Sequence, residues 1–188
     1  MEQQNDLYYI EKVLQGETNM FSYLVEKYKD IVFSIALKVL KNRDDAEEMA
    51  QEAFIKAYNS LSSFKGKSKF STWLYSITYN LCISQTRKKK YDMSPLDDVQ
   101  VSDESDDFGF DRVPDETRKK YLEAGLKRLN EEDQTLLFLY YYKDKSIDEL
   151  AVVTKLSVSN TKVKLHRARK KLYKVLNEML KEELHSLL

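Results

Sequence analysis

Residues 146–172 read SIDELAVVTKLSVSNTKVKLHRARKKL, and this stretch decides the fold of the C-terminal part of the chain. Ser146 and Glu149 have the spacing of a capping box, in which each side chain bonds a backbone amide at the start of a helix. The pattern predicts a short helix to about Val153, a tight turn over residues 154–156, and a long helix capped by Ser157. A short helix, a turn and a longer basic helix are typical of a helix-turn-helix.

The long second helix is basic and amphipathic. Its predicted apolar stripe comprises Val158, Thr161, Leu165, Ala168, Leu172 and Val175. In a helix-turn-helix the second helix enters the major groove by its N-terminal end. Four side chains are then expected at base edges: Ser159, Asn160, Lys162 and Val163. Lys164, Arg167 and Lys171 are expected at phosphates, and we place His166 in the same DNA-facing set. A basic helix that binds a protein partner is the alternative, which the capped turn disfavours.

Two further helices precede this motif. Leu122, Leu126 and Leu129 mark one, a cluster of Leu and Tyr at residues 136–141 marks the next, and Asn130 lies at the break. The whole chain has only four Gly and two Pro, and no run of alternating β-branched residues is visible. We therefore predict an all-α protein with two small helical domains, the second a four-helix domain over residues 119–188.

Charge divides the chain into three parts although the total is zero. Residues 1–91 hold 14 Lys and Arg against 11 Asp and Glu, and residues 119–188 hold 15 against 10. Residues 92–118 hold 2 against 10, include both prolines and are poor in apolar residues, which predicts a flexible acidic linker. Such a linker could be a solubilising tether, lie in a basic channel of a partner, or cover the DNA-binding faces of the free protein.

A second basic stretch, FKGKSKFSTWLYSITYNLCISQTRKKK, covers residues 64–90 and contains seven basic residues and no acidic one. Ser71 is the predicted N-cap of a helix that runs to the basic cluster. Lysines with interleaved aromatic rings suit single-stranded nucleic acid, because the charges follow phosphates and exposed rings stack on bases. Core packing is an equal alternative for Trp73 and Tyr75.

Residues 42–61, NRDDAEEMAQEAFIKAYNSL, predict a helix capped by Asp44 or Asp45. Its alanine-rich stripe predicts one buried face, and Glu48, Gln51, Glu52 and Ile55 fall on the other. From spacing alone that other face is more typical of a solvated surface than of a binding site. Further helices are predicted over residues 6–15, closed by Gly16, and from Thr18 to about Leu40.

Several function classes lack support in the sequence. The N-terminus MEQQNDLYYI lacks the layout of a signal peptide, and no stretch approaches a transmembrane length, so a cytoplasmic protein is expected. The lone cysteine, Cys82, is predicted to be a small buried hydrophobe. No nucleophile–base set or phosphate-binding glycine loop is visible, so we expect no enzyme activity, no cofactor and no metal.

Three motifs together resemble one family. FxxxxxFSTWLYxIxYN at residues 64–80, SIDELAxxxxLSVSNTKVKLHRARKKL at residues 146–172, and DDAEEMAQEAFIKAY at residues 44–58 are similar to segments of extracytoplasmic-function (ECF) bacterial sigma factors. The resemblance covers nearly the whole chain in the family's order. It implies a region 2-like domain over residues 1–91, a linker over 92–118 and a region 4-like domain over 119–188.

The resemblance also implies partners and site residues. Core RNA polymerase would dock on Asp45, Glu48, Gln51, Glu52 and Ile55. The melted −10 element would be read by Lys65, Lys67, Lys69, Phe70, Trp73, Asn80, Arg87 and Lys88, with a flipped base held by the loop from Lys65 to Phe70. The −35 element would be read as duplex by the second helix of the helix-turn-helix. An anti-sigma factor, membrane-anchored in many cases, is an expected partner.

Two positions depart from the family pattern. Ser84 replaces an acidic residue common in the family, and Lys155 occupies a turn position often given to Gly, which predicts left-handed backbone there. A free-standing helix-turn-helix regulator, binding duplex without polymerase, is the alternative function. The basic aromatic loop distinguishes the two hypotheses, because a duplex-only regulator does not need it.

Overall fold

The computed structural model describes residues 2–91 and 115–186 for the backbone and 5–88 and 120–181 for the side chains, and every secondary-structure element within those residues is a helix. The helices are α1 (Glu2–Leu14), α2 (Phe21–Leu40), α3 (Arg43–Asn59), α4 (Phe70–Tyr91), α5 (Asp115–Lys127), α6 (Glu131–Tyr141), α7 (Ile147–Thr154) and α8 (Val158–Ser186). Short 3-10 turns at Thr18–Met20 and Leu61–Ser63 precede α2 and follow α3. Helix α5 begins three residues before the predicted end of the linker, and the rest of that linker, residues 92–114, lies outside the described residues.

Helices α1 to α4 form the first half around α2. Leu24, Val32 and Ile35 of α2 are fully buried. The predicted alanine stripe of α3 is also buried at Ala46, Ala50, Ala53 and Ala57, and such small side chains let the α3 backbone approach its neighbours closely. Asp6 fastens α1 to α2, because its carboxylate accepts from Lys27 Nζ and from the Tyr28 hydroxyl, each at 2.6 Å.

Two predicted helix caps are wrong. Asn42, and neither Asp44 nor Asp45, caps α3: its side chain accepts from the Asp45 amide at 3.0 Å. The two aspartates instead lie in the first turn, where they favour the positive end of the helix dipole. Ser71 is not the cap of α4, because that helix begins at Phe70 and Ser71 already lies within its first turn.

Helices α5 to α8 form the second half, and they confirm the predicted four-helix domain with its helix-turn-helix. Leu136 and Leu139 of α6, Leu150 of α7 and Leu165 of α8 are buried together in the core. Gly125 lets α5 approach α8 closely, since a Cβ at that position would lie 2.8 Å from the Leu176 side chain. The all-α fold class is thus confirmed.

The two halves contact each other through two pairs of helices. Helix α7 packs against α4, and α6 packs against α2. At the second contact the Lys38 ammonium lies over the Phe138 ring, 4.4 Å from its centroid, and burial lowers the pKa of Lys38. The buried residues of both halves therefore form one continuous core.

Candidate nucleic-acid interface

The first turns of α8 present a free polar edge. The predicted cap is confirmed, because the Ser157 hydroxyl accepts from the Asn160 amide at 3.1 Å. Thr161, Leu165 and Ala168 face the core. The residues expected at base edges are all exposed on the other side: Ser159, Asn160, Lys162 and Val163. His166 and Arg167 are exposed one turn further along the same helix.

Helix α7 and the turn after it hold that edge in place. The predicted capping box is confirmed, since Ser146 Oγ accepts from the Glu149 amide and Glu149 Oε2 accepts from the Ser146 amide, at 3.2 and 3.1 Å. Lys155 ends α7 with a φ of 57°, the left-handed backbone predicted for it. The turn thus reverses the chain without a glycine and delivers Ser157 to the start of α8.

Two lysines expected at phosphates are already engaged by acidic residues of α6. Lys171 Nζ lies 2.8 Å from Asp133 Oδ2, and Lys164 Nζ bonds Glu132. Asp133 is buried, and its backbone amide donates to the N-cap Asn130 at 2.8 Å, so this carboxylate belongs to the frame of the domain. Glu132 is about one-third exposed and could release Lys164.

The basic loop before α4 exposes its charges and buries its phenylalanine. Lys65, Lys67 and Lys69 are exposed around Gly66, whose φ is +67°. Phe70 is 1% exposed, so its ring is not available to a base in this arrangement. Trp73 is half-buried, and its ring centroid lies 5.4 Å from that of Phe64 and 5.7 Å from that of Phe70. Tyr75 is buried, which favours core packing for that residue.

Asn80 is the −10 candidate whose surroundings differ most from expectation. Its amide Nδ2 donates to the carbonyl of Val153 at 2.9 Å and to the carbonyl of Ser76 at 2.6 Å. Arg87 and Lys88 are exposed further along α4, and Arg87 Nη2 lies 3.9 Å from Glu132 Oε1. The candidate −10 surface of α4 is therefore partly covered by the second half of the chain.

The polar residues that make this cover were not predicted as site residues. Thr72 donates to Glu149 Oε1 at 2.8 Å, and Ser76 donates to the Val152 carbonyl at 2.9 Å. Residues 72, 76 and 80 recur every fourth position, so they lie on one face of α4. The four-residue spacing of these polar side chains is the one sequence signal for this contact, but a polar helix face is equally typical of a surface exposed to water.

The exposed face of α3 agrees with its predicted outward orientation. Glu48, Gln51, Glu52 and Ile55 are exposed, Asp45 is half-buried, and the Ile55 side chain is 54% exposed. An exposed isoleucine among carboxylates and an amide offers both an apolar contact and charge to a partner. The core polymerase role that the resemblance assigns to this face stays a prediction.

Other kinds of site are not seen in the described part of the chain. There, no three His, Cys, Asp or Glu side chains come together as metal ligands, and no helix is both long and apolar enough to span a membrane. Cys82 is buried, as predicted, and burial raises the pKa of its thiol to about 12.

Known families and relatives match most of the chain. The family model of Sigma-70 region 2 matches residues 24–91, and that of Sigma-70 region 4 matches residues 119–172. The ECF RNA polymerase sigma factor SigW of Bacillus subtilis is 33% identical over 180 residues, which cover 90% of this chain and 96% of SigW. The ECF RNA polymerase sigma-E factor of Haemophilus influenzae is 31% identical over 182 residues, covering 89% of this chain and 93% of that protein.

Solved structures share the fold. CnrH in complex with the cytosolic domain of CnrY has a TM-score of 0.62 at 20% identity, covering 91% of this chain and 96% of that one. The sigma factor RpoE of Bartonella quintana, solved with the anti-sigma factor NepR, has a TM-score of 0.61 at 21% identity, covering 84% and 96%. With both family models in the expected order and relatives matched nearly end to end, the chain belongs to the ECF class of RNA polymerase sigma factors.

Proposed function

We propose that this sigma factor directs promoter-specific transcription initiation through three binding surfaces. The exposed face of α3 binds core RNA polymerase. The start of α8 reads the −35 element as duplex, and the basic loop with α4 reads the −10 element as a melted strand. The observation that carries the proposal is the exposed edge Ser159, Asn160, Lys162 and Val163 at the start of a helix capped by Ser157.

The −35 reading follows from the geometry of the helix-turn-helix. An amide such as that of Asn160 can bond a base edge in the major groove, and the Val163 side chain can contact a thymine methyl group. Arg167 is exposed and can hold a phosphate. Lys164 and Lys171 join it only where Glu132 and Asp133 release them.

The −10 reading uses charge and an aromatic ring. Extruding a base costs a few kcal/mol, which a pocket for that base offsets. The exposed residues Lys65, Lys67 and Lys69 can follow the strand, and Trp73, which is half-buried, is the aromatic residue near them. Asn80, Arg87 and Lys88 extend this surface along α4, whereas the buried Phe70 supports it from below.

Two linked domains allow the chain to bind the −10 and −35 elements at the same time and therefore more tightly. We propose that residues 1–91 and 119–188 act as separate domains, with 92–118 as the linker that spans the distance between promoter elements on polymerase. Two modest contacts joined in one chain gain from effective concentration. Polymerase supplies the phosphodiester chemistry, so the chain itself acts as a non-enzymatic factor in the cytoplasm.

An anti-sigma factor is proposed as a further partner. The support is the Bartonella quintana relative in fold, whose structure contains the anti-sigma factor NepR. A pull-down of the intact chain with its candidate anti-sigma protein, followed by loss of transcription on adding that protein, tests this partner.

Run-off transcription with bacterial core polymerase tests the proposed function. Defined transcripts that start only when this protein is added support it. Specific binding of the free protein to a duplex, without any start site in the presence of core, would favour the free-standing regulator instead.

Two variants with matched controls assign the surfaces in the same experiment. Glu48→Lys reverses a charge on the α3 face and should weaken binding to core polymerase, whereas Glu26→Lys, at an exposed position of α2, should not. Asn160→Ala should reduce the discrimination between bases at the −35 element by about 1–3 kcal/mol. Arg167→Ala should weaken binding to all duplex sequences equally, and should reduce the slope of log affinity against log salt concentration by about 1.

A further inference from the structure

We propose that a cavity between α2, α4 and the loop from α6 to α7 binds a small molecule that carries a diphosphate group. The cavity has a volume of about 400 Å³, which is within the range of small-molecule sites. None of the residues that line it belongs to the three surfaces assigned above to polymerase and promoter DNA. It is therefore a separate candidate site.

Lysine side chains give the cavity its character. Lys27 of α2 lines one wall, and Lys143 and Lys145 of the loop at residues 142–146 line another. An ammonium group has three hydrogen-bond donors, and lysine is a common ligand of phosphate in proteins. Sites for uncharged molecules are lined mainly by apolar side chains. The lining therefore favours an anion.

Two of these lysines are fixed in position by carboxylates behind them. Lys27 Nζ lies 2.6 Å from Asp6 Oδ1. Lys145 Nζ lies 3.0 Å from Glu149 Oε1 and 3.4 Å from Ser71 Oγ. Because the two ammonium groups are already held, a ligand pays little side-chain entropy to engage them.

Two other cations at this place have no acidic partner. The ammonium groups of Lys38 and Lys143 lie over the same Phe138 ring, 4.4 and 5.8 Å from its centroid. Within the described residues, neither lysine forms an ion pair with a carboxylate. Burial lowers the pKa of Lys38 for that reason, since only desolvation acts on it. An anion bound beside them would offset a charge that these side chains leave unbalanced.

The spread of the cations favours an extended anion over a single phosphate. Lys27 and Lys38 are eleven positions apart, which is about 16 Å along α2 at 1.5 Å per residue. Ser34, which lies between them and one turn before Lys38, also lines the cavity. A diphosphate group with an organic part can contact more of this row than one phosphate can.

Ser71 adds a donor and a favourable helix end. Its hydroxyl lines the cavity and accepts from Lys145, and in the described part of the chain no acceptor takes the hydroxyl proton. That proton can be donated to a phosphate oxygen. Ser71 also lies in the first turn of α4, where the positive end of the helix dipole favours an anion.

The loop that carries two of the lysines is itself held in shape. The Lys145 amide donates to the Leu139 carbonyl at the end of α6, at 3.1 Å. Asp144, between Lys143 and Lys145, has left-handed backbone with a φ of 46°. This fixed turn brings both neighbouring lysines to the cavity, so the loop does not have to be ordered by the ligand.

Asp30 limits the affinity. Of the carboxylates in the described residues, Asp30 alone lines the cavity, and it is exposed. Its charge repels an anion, although the exposed position lets water screen much of the repulsion. Removing this charge should therefore strengthen binding, in contrast to the removal of a lysine.

Isothermal titration calorimetry of the free, full-length chain with inorganic pyrophosphate at constant ionic strength tests the proposal. One saturable site is expected, and the thermal unfolding midpoint should rise with pyrophosphate concentration. Inorganic phosphate should bind at least tenfold more weakly, because it reaches fewer lysines. ADP and GDP in parallel titrations distinguish the source: tighter binding than pyrophosphate assigns the site to a nucleotide, and weaker or equal binding assigns it to the inorganic ion.

Charge-removing variants locate the site. Lys143→Gln, at an exposed position, should weaken pyrophosphate binding roughly tenfold. Lys38→Met keeps an apolar side chain over Phe138 and should weaken it by a similar factor. Asp30→Asn should strengthen it several-fold. Lys56→Gln removes a charge from an exposed position on α3 that does not line the cavity, and should change nothing.

Three results would overturn the proposal. The first is the absence of saturable binding to the parent chain. The second is equal affinity in the parent and in Lys143→Gln, a variant whose exposed position makes misfolding improbable and whose helices circular dichroism checks. The third is displacement of pyrophosphate by duplex DNA, which would assign these lysines to the DNA backbone. The titrations need neither polymerase nor a promoter, so their outcome is independent of the proposed function.

Discussion

Asn80 donates its side-chain amide to the backbone carbonyl of Val153 at 2.9 Å, so a residue of α4 closes the last turn of α7. The resemblance assigns Asn80 to the −10 element, whereas the structure assigns its donor to the helix-turn-helix. One side chain thereby links the two DNA-reading halves of the chain.

Glu132→Gln should strengthen binding of the free chain to duplex DNA. The change removes a carboxylate that pairs with Lys164 and lies near Arg87, and so frees cations for phosphates. We expect a rise in affinity of roughly fivefold at low salt, shrinking as salt is raised. Fluorescence anisotropy with a labelled duplex measures the affinity at each salt concentration.

Glu178→Gln is the matched control for that experiment, since it removes the same charge from an exposed position later on α8. An equal rise in affinity for both variants would show that net charge alone is responsible. The account requires a larger effect at Glu132.

Glu149 should make the stability of the folded chain sensitive to acid. Burial alone would raise the pKa of Glu149, but hydrogen bonds from Thr72, the Ser146 amide and Lys145 outweigh it and lower the pKa from 4.5 to about 2. Because the unfolded state then binds the proton more readily, this contribution is complete above about pH 4.5 and is lost as the pH falls towards 2.

Urea unfolding at pH 7, 4.5 and 3 measures this contribution for the parent and for Glu149→Gln. The difference in unfolding free energy between the two chains should shrink as the pH falls from 4.5 to 3. Parallel curves for parent and variant over that range would contradict the role given to Glu149, and Glu178→Gln shows what an exposed carboxyl contributes.

Lys155→Gly should stabilise the helix-turn-helix. Lys155 has left-handed backbone with a φ of 57°, which costs a residue with a Cβ about 1–2 kcal/mol and costs glycine little. After the entropy that glycine loses on folding, a net gain of about 0.5–1 kcal/mol is expected. Thermal unfolding followed by circular dichroism measures it.

Lys174→Gly is the control, and it should destabilise the chain. This exposed lysine lies within α8, where glycine should cost about 1 kcal/mol. If Lys155→Gly destabilised the chain as much as Lys174→Gly, the strain assigned to the turn would be absent.

Local signals in the sequence predicted the second half well. Ser146 and Glu149 form their capping box, and Ser157 caps α8, because both motifs need only residues three or four positions apart. The same kind of signal failed at the start of α4, which begins at the buried Phe70, one residue before the Ser71 that was predicted to cap it. At α3, Asn42 precedes the two aspartates and took the cap position from them.

The contact between the halves could not be predicted from the same signals. Thr72, Ser76 and Asn80 form a polar face that water, DNA or another helix could satisfy equally well. Their partners, Glu149, Val152 and Val153, are more than 70 positions away in the chain. Only the packing of α7 on α4 shows which partner the face has in the free chain.

Run-off transcription on matched duplex and pre-melted promoters tests the central claim most directly. The double variant Lys67→Ala with Lys69→Ala removes two exposed charges from the loop assigned to the melted strand, and Lys56→Ala with Lys174→Ala removes two charges elsewhere. Initiation by the loop variant should fall several-fold more on the duplex template than on the pre-melted one, with the control unaffected. Equal losses on both templates, or no transcripts with any form of the protein, would contradict the account.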